Sequence, residues 1–155
     1  MPAKPRKVSD SGAAVYTVSH PRAFADSNVP LYLLSETPRK AAAAQAILRA
    51  HCFISAQVLN EITNVMRQKY RYTWAQVAFF LKTLRAQCPV ESLTLETHDL
   101  GRRIAERYQL QFFDALIAAS ALLAKCGTLY SEDMQHGLLL EGRLRIVNPF
   151  FEPAT

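Results

Sequence analysis

The sequence predicts an α/β fold, a three-layer α/β/α arrangement around a central parallel sheet of four to five strands. Two observations carry this. Short apolar segments of strand length recur along the chain, at Ala23 to Ala25, Cys52 to Ile54, Val90 to Leu95, Leu129 to Ser131 and Leu144 to Val147. Between them lie stretches whose apolar residues repeat at helical spacing, with capping residues at the joints. Strands separated by helices pair in parallel through right-handed crossovers, and the helices then cover both faces of the sheet.

Each element has its local reason. Val29 to Leu34 reads as a helix beginning just after Asp26. Thr37 as N-cap and Pro38 at the helix start introduce Arg39 to Ala50, whose alanine run has high helix propensity. Ser55 caps a helix carrying Val58, Leu59, Ile62, Val65 and Met66 on one face. Thr73 caps the next, through Ala86, with Trp74, Val77, Ala78, Leu81 and Leu84 as its buried stripe. Pro89 stops that helix before the strand at Val90. Thr97 caps Leu100 to Tyr108, and the last helix runs from Phe113 to Ala124 with Gly127 as C-cap. Asn148-Pro149 closes the final strand.

The bulk numbers bound the class. At 155 residues, 50% hydrophobic and 20% charged, the chain has the composition of an ordinary globular domain. No apolar run approaches the roughly 20 residues that cross a bilayer, and no apolar core of a signal peptide follows Met1 to Arg6. Cys52, Cys88 and Cys126 are odd in number, lack a CxxC pair and sit among apolar neighbours, as reduced core cysteines do. A cytoplasmic protein with no membrane association is expected. The net charge of +5 and pI near 9.3 hint at a polyanionic partner. Three of the positive charges (Lys4, Arg6, Lys7) fall in residues 1–20, expected to be a flexible extension before a single domain at 21–152. The remaining body is only slightly basic, which permits nucleic-acid binding without establishing it.

Four carboxylates stand beside the most apolar segments. Asp26 follows Ala23-Phe24-Ala25, Glu61 follows the second strand, Asp114 opens Ala115 to Ala119, and Asp133 follows Thr128-Leu129-Tyr130. A carboxylate beside a core segment costs free energy unless it is paired, hydrogen-bonded or metal-bound. Singly, each has a plain alternative: Asp26 as a helix cap, Glu61 facing solvent, Asp114 as a first-turn helix acid, Asp133 as a turn residue. Together they suggest one divalent cation. Their hard oxygens suit Mg²⁺ or Mn²⁺, whereas the histidines show no zinc-binding spacing. In open parallel sheets function gathers beyond the carboxyl ends of the strands, where Asp26 and Asp133 fall.

The local wording sharpens this. Phe24-Ala25-Asp26-Ser27-Asn28 before an apolar helix resembles the first motif of PIN-domain ribonucleases, and Ser55 to Glu61 the second. Phe113-Asp114-Ala115-Leu116-Ile117-Ala118-Ala119-Ser120 resembles the third, and Leu129 to Gly137 the fourth. The ending Arg145-Ile146-Val147-Asn148-Pro149-Phe150 is similar to the VapC-like branch. The resemblance covers about Arg22 to Phe150.

It implies a PIN-like fold and a Mg²⁺-dependent endoribonuclease, with Mn²⁺ as a substitute, acting as the toxin of a type II toxin–antitoxin pair. The implied partners are an RNA substrate, a cognate antitoxin and a second copy in a homodimer. Asp26, Glu61, Asp114 and Asp133 would be the catalytic, metal-holding quartet, with Ser131, Asn28 and Asn64 in support. Glu132 is the alternative to Asp133 as the inner acid. The implied products carry 5′-phosphate and 3′-hydroxyl ends. Arg39, Lys40, Arg67, Lys69 and Arg71 are either guides for the RNA backbone or solvated helix surface. Phe79 and Phe80 are either an interface or core.

One departure stands out, since the family's first motif lies close to the N-terminus and here Asp26 is far in. The segment before it is expected to be either a disordered tail, or one from a misassigned start, or an RNA contact through Lys4, Arg6 and Lys7. The rival from another class is a non-catalytic PIN-like interaction module. A haloacid-type phosphatase needs Asp-x-Asp, but Ser27-Asn28 follows Asp26, and a receiver domain needs an acidic pair that is missing before Asp26 and Asp114.

Overall fold

Six short strands build one sheet among residues 21–154, the part of the chain described by the computed structural model. They are β1 (Ala23–Ala25), β2 (Cys52–Ser55), β3 (Val90–Glu91), β4 (Thr128–Tyr130), β5 (Leu139–Leu140) and β6 (Leu144–Val147). The helices are α1 (Asn28–Leu31), continued by a 3-10 turn at Tyr32–Leu34, α2 (Pro38–Arg49), α3 (Ala56–Gln68), α4 (Trp74–Gln87), α5 (Leu95–Tyr108) and α6 (Phe112–Leu123). The extension expected over residues 1–20 lies outside the described residues.

The strand order is β3-β2-β1-β4-β6-β5, and every pairing is parallel except β5 with β6. From β1 the chain steps outward to β2 and β3, then returns to the opposite side of β1 as β4. That reversal creates a switch point between the carboxyl ends of β1 and β4, where successive connections diverge and leave a crevice. Both faces of the sheet are covered. Neighbouring strand residues point to opposite faces, and Phe24 and Ala25 are both 0% exposed, as are Ile54 and Ser55.

Helix α6 is buried at every position from Ala115 to Leu122, as expected of a helix that is apolar all round. It lies against α5 at Gly101, where an added Cβ would sit 2.8 Å from Leu116 Cδ2 and 3.4 Å from Leu116 Cα. The glycine sets how closely the two helices approach, and α6 carries Asp114. Gly101→Val is therefore expected to destabilise the fold by about 1–3 kcal/mol, the cost of overpacking. A lowered urea midpoint with unchanged slope is the expected readout; an unchanged midpoint would show that α5 and α6 separate freely.

Several elements differ from the sequence expectation. The sheet has six strands because Leu139–Leu140 pairs antiparallel with β6 through the link Glu141-Gly142-Arg143. Glu141 (φ 50°) and Gly142 (φ 70°) both occupy the left-handed region. Glu141 is held there from α5, its N–H donating to Tyr108 Oη at 2.8 Å and its carboxylate accepting from Arg107 at 2.9 Å. The strand expected over Val90 to Leu95 is only Val90–Glu91, because Thr94 caps α5 at Leu95. Thr97 is the partner within that capping box, not the cap itself.

Gly127 does not end α6. Lys125 takes the left-handed conformation (φ 61°), while Lys125 N–H donates to Leu122 O and Cys126 N–H to Ala121 O, the paired bonds of a Schellman ending. Ser131 lies just past β4 instead of within it. Thr37 is extended but makes no side-chain cap bond. In α4, Val77 and Leu84 are buried, but Trp74 is 63% exposed and Ala78 is exposed. This helix packs beside α3 at the periphery, so its buried stripe is narrow. Phe79 is 74% exposed while Phe80 packs partly against the core.

The three cysteines are free thiols in the core, as expected. Among the described residues no helix is long and apolar enough to cross a membrane.

Candidate functional site

The chain leaves β1 at Asp26, whose backbone N–H still donates to Tyr130 O of β4 at 2.9 Å. This extra rung places the Asp26 side chain at the switch point, 1% exposed. Its Oδ1 accepts from the Ser27 N–H at 2.7 Å, and its Oδ2 accepts from Ser131 Oγ at 2.7 Å and from Asn28 Nδ2 at 3.4 Å. Asp26 therefore does not cap α1 through its side chain. Burial pushes its carboxyl up from 3.8 to about 6, against the lowering effect of the Ser131 and Ser27 bonds; Asp114 and Asp133 push it further up.

Ser131 ties the two strand ends together. While donating to Asp26, its Oγ accepts from the N–H groups of Asp133 at 3.2 Å and Met134 at 3.3 Å. The residue is 0% exposed, so one hydroxyl both orients Asp26 and folds the turn that presents Asp133. Asn28 makes the second tie. Its Nδ2 donates to Asp133 Oδ2 at 3.1 Å and its Oδ1 accepts from the Glu132 N–H at 3.2 Å.

Glu61 sits on α3, which begins where Ser55 accepts from the Val58 N–H at 3.3 Å. Its Oε2 accepts from Ser27 Oγ at 2.8 Å, so it faces Asp26 instead of bulk solvent. Desolvation raises its pKa, the Ser27 bond opposes this, and Asp26 and Asp133 add to the rise. Asp114 lies in the first turn of α6, half-buried, its N–H donating to the Gln111 side chain at 3.2 Å. Burial raises its pKa first, and the charges of Glu61 and Asp133 second. Every charged group that shifts Asp26, Glu61 and Asp114 is another carboxylate.

Glu132 and Asp133 turn to different neighbours. Glu132 accepts from the Tyr32 hydroxyl in a short bond and from Lys40 Nζ at 3.4 Å, while Lys40 also reaches Tyr32 Oη at 3.2 Å. Lys40 lies 4.7 Å over the Tyr32 ring and 5.3 Å over that of Phe150, which fixes the group at the site's edge. Asp133 instead shares Asn28 with Asp26.

The sequence-derived acids thus gather beyond the ends of β1 and β4: Ser27 links Asp26 with Glu61, Asn28 links Asp26 with Asp133, Ser131 bonds to Asp26, and Asp114 feels the charges of Glu61 and Asp133. Asn64 does not join them; it is exposed and lines a separate groove. Sequence reading missed the Ser27 bridge and the Tyr32–Lys40–Glu132 group. Ser27 stands in the quoted first motif, but its link to Glu61 spans 34 residues, and nothing local signals such a contact.

The donor set suits a hard divalent cation. Among the described residues no three acidic, histidine or cysteine side chains converge closely enough to ligate one ion together. Mg²⁺ keeps several waters and uses one or two carboxylates directly, so a looser ring of four acids with no basic side chain acting on them fits it.

Residues 23–137 match the model of the family described as PIN domain. No curated protein matches the chain. Among solved structures the chain is similar to a toxin–antitoxin complex from Klebsiella pneumoniae, at 21% identity and TM-score 0.64, over 83% of this chain and 98% of that one. It is also similar to Mycobacterium tuberculosis VapC20, described as a Sarcin-Ricin loop cleaving toxin, at 16% identity and TM-score 0.58, over 70% and 88%. A third similar structure is FitAcB from Neisseria gonorrhoeae, at 15% identity and TM-score 0.57, over 83% and 98%. At these identities the likeness is one of fold. The family match spans most of the chain and every motif from Asp26 to Asp133, and the chain belongs to the PIN domain family.

Proposed function

We propose that this protein is a Mg²⁺-dependent endoribonuclease, the toxin of a type II toxin–antitoxin pair, working in the cytoplasm. Mn²⁺ substitutes for Mg²⁺, residues 21–152 act as one domain, and two copies pair as a homodimer. The observation that carries this is the buried Asp26 carboxylate at the switch point, surrounded by three further acids. Such a pocket repels a phosphodiester unless a cation is bound. Family membership supports nuclease chemistry. The neighbours described as a Sarcin-Ricin loop cleaving toxin and as a toxin–antitoxin complex support the RNA substrate and the antitoxin partner.

Asp26 would hold the ion, with Glu61, Asp114 and Asp133 around it directly or through water. When bound, Mg²⁺ supplies charge neutralisation at the phosphate and a more acidic water. The chain's own residues do the positioning. Ser131 fixes Asp26 and the turn before Asp133, Asn28 keeps Asp133 beside Asp26, and Ser27 draws Glu61 toward the same point. Glu132 is bonded to Tyr32 and Lys40, which supports Asp133 as the inner acid.

The test is cleavage of single-stranded RNA by purified protein, with Mg²⁺ and with EDTA. Wild type is expected to cleave only with metal, and Asp114→Asn is expected to lose the activity while keeping its thermal transition. Full cleavage by a nuclease-free preparation of Asp114→Asn would overturn the assignment. Expression of the chain is also expected to arrest growth, with relief by a small protein encoded beside it.

A further inference from the structure

Helix α3 does not end at Glu61. Asn64 and Gln68 follow it at i+3 and i+7 on the same face, about 4.5 and 10 Å further along the axis. With Asn60, Thr63, Arg67 and Trp74 they line a groove of about 320 Å³ on the helix that carries Glu61. That is the size of a small-ligand site.

Trp74, the only tryptophan in the chain, is the first residue of α4 and 63% exposed. The Arg67 guanidinium lies 4.4 Å from its ring centroid and is anchored by donating to the Tyr72 carbonyl at 2.7 Å. A cation therefore braces the indole while much of it stays open. Asn60, Asn64 and Gln68 are exposed amides, each able to donate and accept. A stacking ring, an anchored cation and paired donor–acceptor groups are the chemistry that holds an unpaired nucleobase and its phosphate. A different groove suits a protein partner better: the one lined by Leu34, Met66, Tyr72, Phe79 and Phe80 is almost wholly apolar.

We propose that Trp74, Arg67 and Asn64 form a nucleobase subsite that holds single-stranded RNA beside the carboxylate crevice. The proposal rests on the RNA-cleaving function above, and it adds where the strand lies. Asn64, expected in support of the acidic quartet, and Arg67, expected as either an RNA guide or solvated helix surface, are binding residues in this proposal.

Because Trp74 is the sole indole, its emission reports the subsite directly. Full-length protein carrying Asp26→Asn, which leaves RNA intact, is titrated with short oligouridylate and oligoadenylate while the RNA's fluorescence anisotropy is followed in parallel. Saturable quenching of Trp74 is expected, in step with the anisotropy. Trp74→Ala is expected to weaken binding by roughly 5- to 150-fold, the range set by stacking one base. The Thr73–Gln76 capping box does not use the indole, so α4 keeps its start.

Binding by anisotropy with unchanged Trp74 emission would overturn the subsite and leave the nuclease function standing. A Trp74 emission that changes on dilution without RNA would overturn it in favour of a contact between two copies. Cleavage of the RNA by Asp26→Asn would strike at the functional assignment instead.

Discussion

Asp26→Asn is expected to stabilise the metal-free protein at pH 7 and to abolish RNA cleavage. Both effects come from the same burial. The Asp26 carboxyl titrates near 6 in the folded chain, because it is buried beside Asp114 and Asp133, and near 3.8 when exposed. Below 3.8 both states hold the proton, and the group contributes nothing to pH dependence. Between 3.8 and about 6 the unfolded chain has released it and the folded chain has not, so stability falls as pH rises through that window.

Above about 6 the deficit is complete, about 3 kcal/mol at most for a rise of this size. Asn removes the charge, so thermal melts in EDTA are expected to rise by on the order of 5 °C at pH 7 and to lose much of their slope between pH 4 and 6. Cleavage should fall by more than the roughly 10–100-fold that loss of an outer-shell partner costs. A variant less stable than wild type at pH 7 would show that the Ser27 and Ser131 bonds outweigh the burial of the charge.

Ser131→Ala is expected to have the second-largest effect, and in the opposite sense for stability. It removes the donor to Asp26 Oδ2 and the acceptor of the Asp133 and Met134 N–H groups in a fully buried position. Leaving such groups unpaired costs about 1–3 kcal/mol. Activity should drop roughly 10–100-fold, since Asp26 and Asp133 lose their common anchor. Ser131→Thr keeps the hydroxyl and is expected to recover part of the rate. Equal activity in Ser131→Ala and wild type would show that Asp26 needs no orienting hydroxyl.

What was legible in the sequence follows the range of the interactions involved. The strands at Ala23, Cys52 and Leu144, the Ser55 and Thr73 caps, and the positions of the four acids are written in neighbouring residues. The structure forms these strands and caps where neighbouring residues place them. The hairpin at Glu141 was hidden because Tyr108 and Arg107, from another helix, hold a non-glycine residue at positive φ. The Trp74 exposure was hidden because helical spacing marks a stripe but not whether anything lies opposite it. In the site, the acids were legible one by one. The ties that turn them toward one point (Ser27 to Glu61, Asn28 to Asp133, Ser131 to Asp26) span 34 or 105 residues and needed the fold. The choice between Glu132 and Asp133 was open in sequence, and Lys40 with Tyr32 separates them in space.

On the proposed function, these carboxylates hold a divalent cation. A Mn²⁺ titration followed by the loss of the free-ion electron paramagnetic resonance signal measures it without reference to any substrate. Wild type is expected to bind Mn²⁺ saturably, with Mg²⁺ competing, weaker binding in Ser131→Ala and none in Asp26→Asn. Wild type that leaves all Mn²⁺ free, or Asp26→Asn that binds it equally well, would contradict the account and favour a PIN-fold interaction module without catalysis.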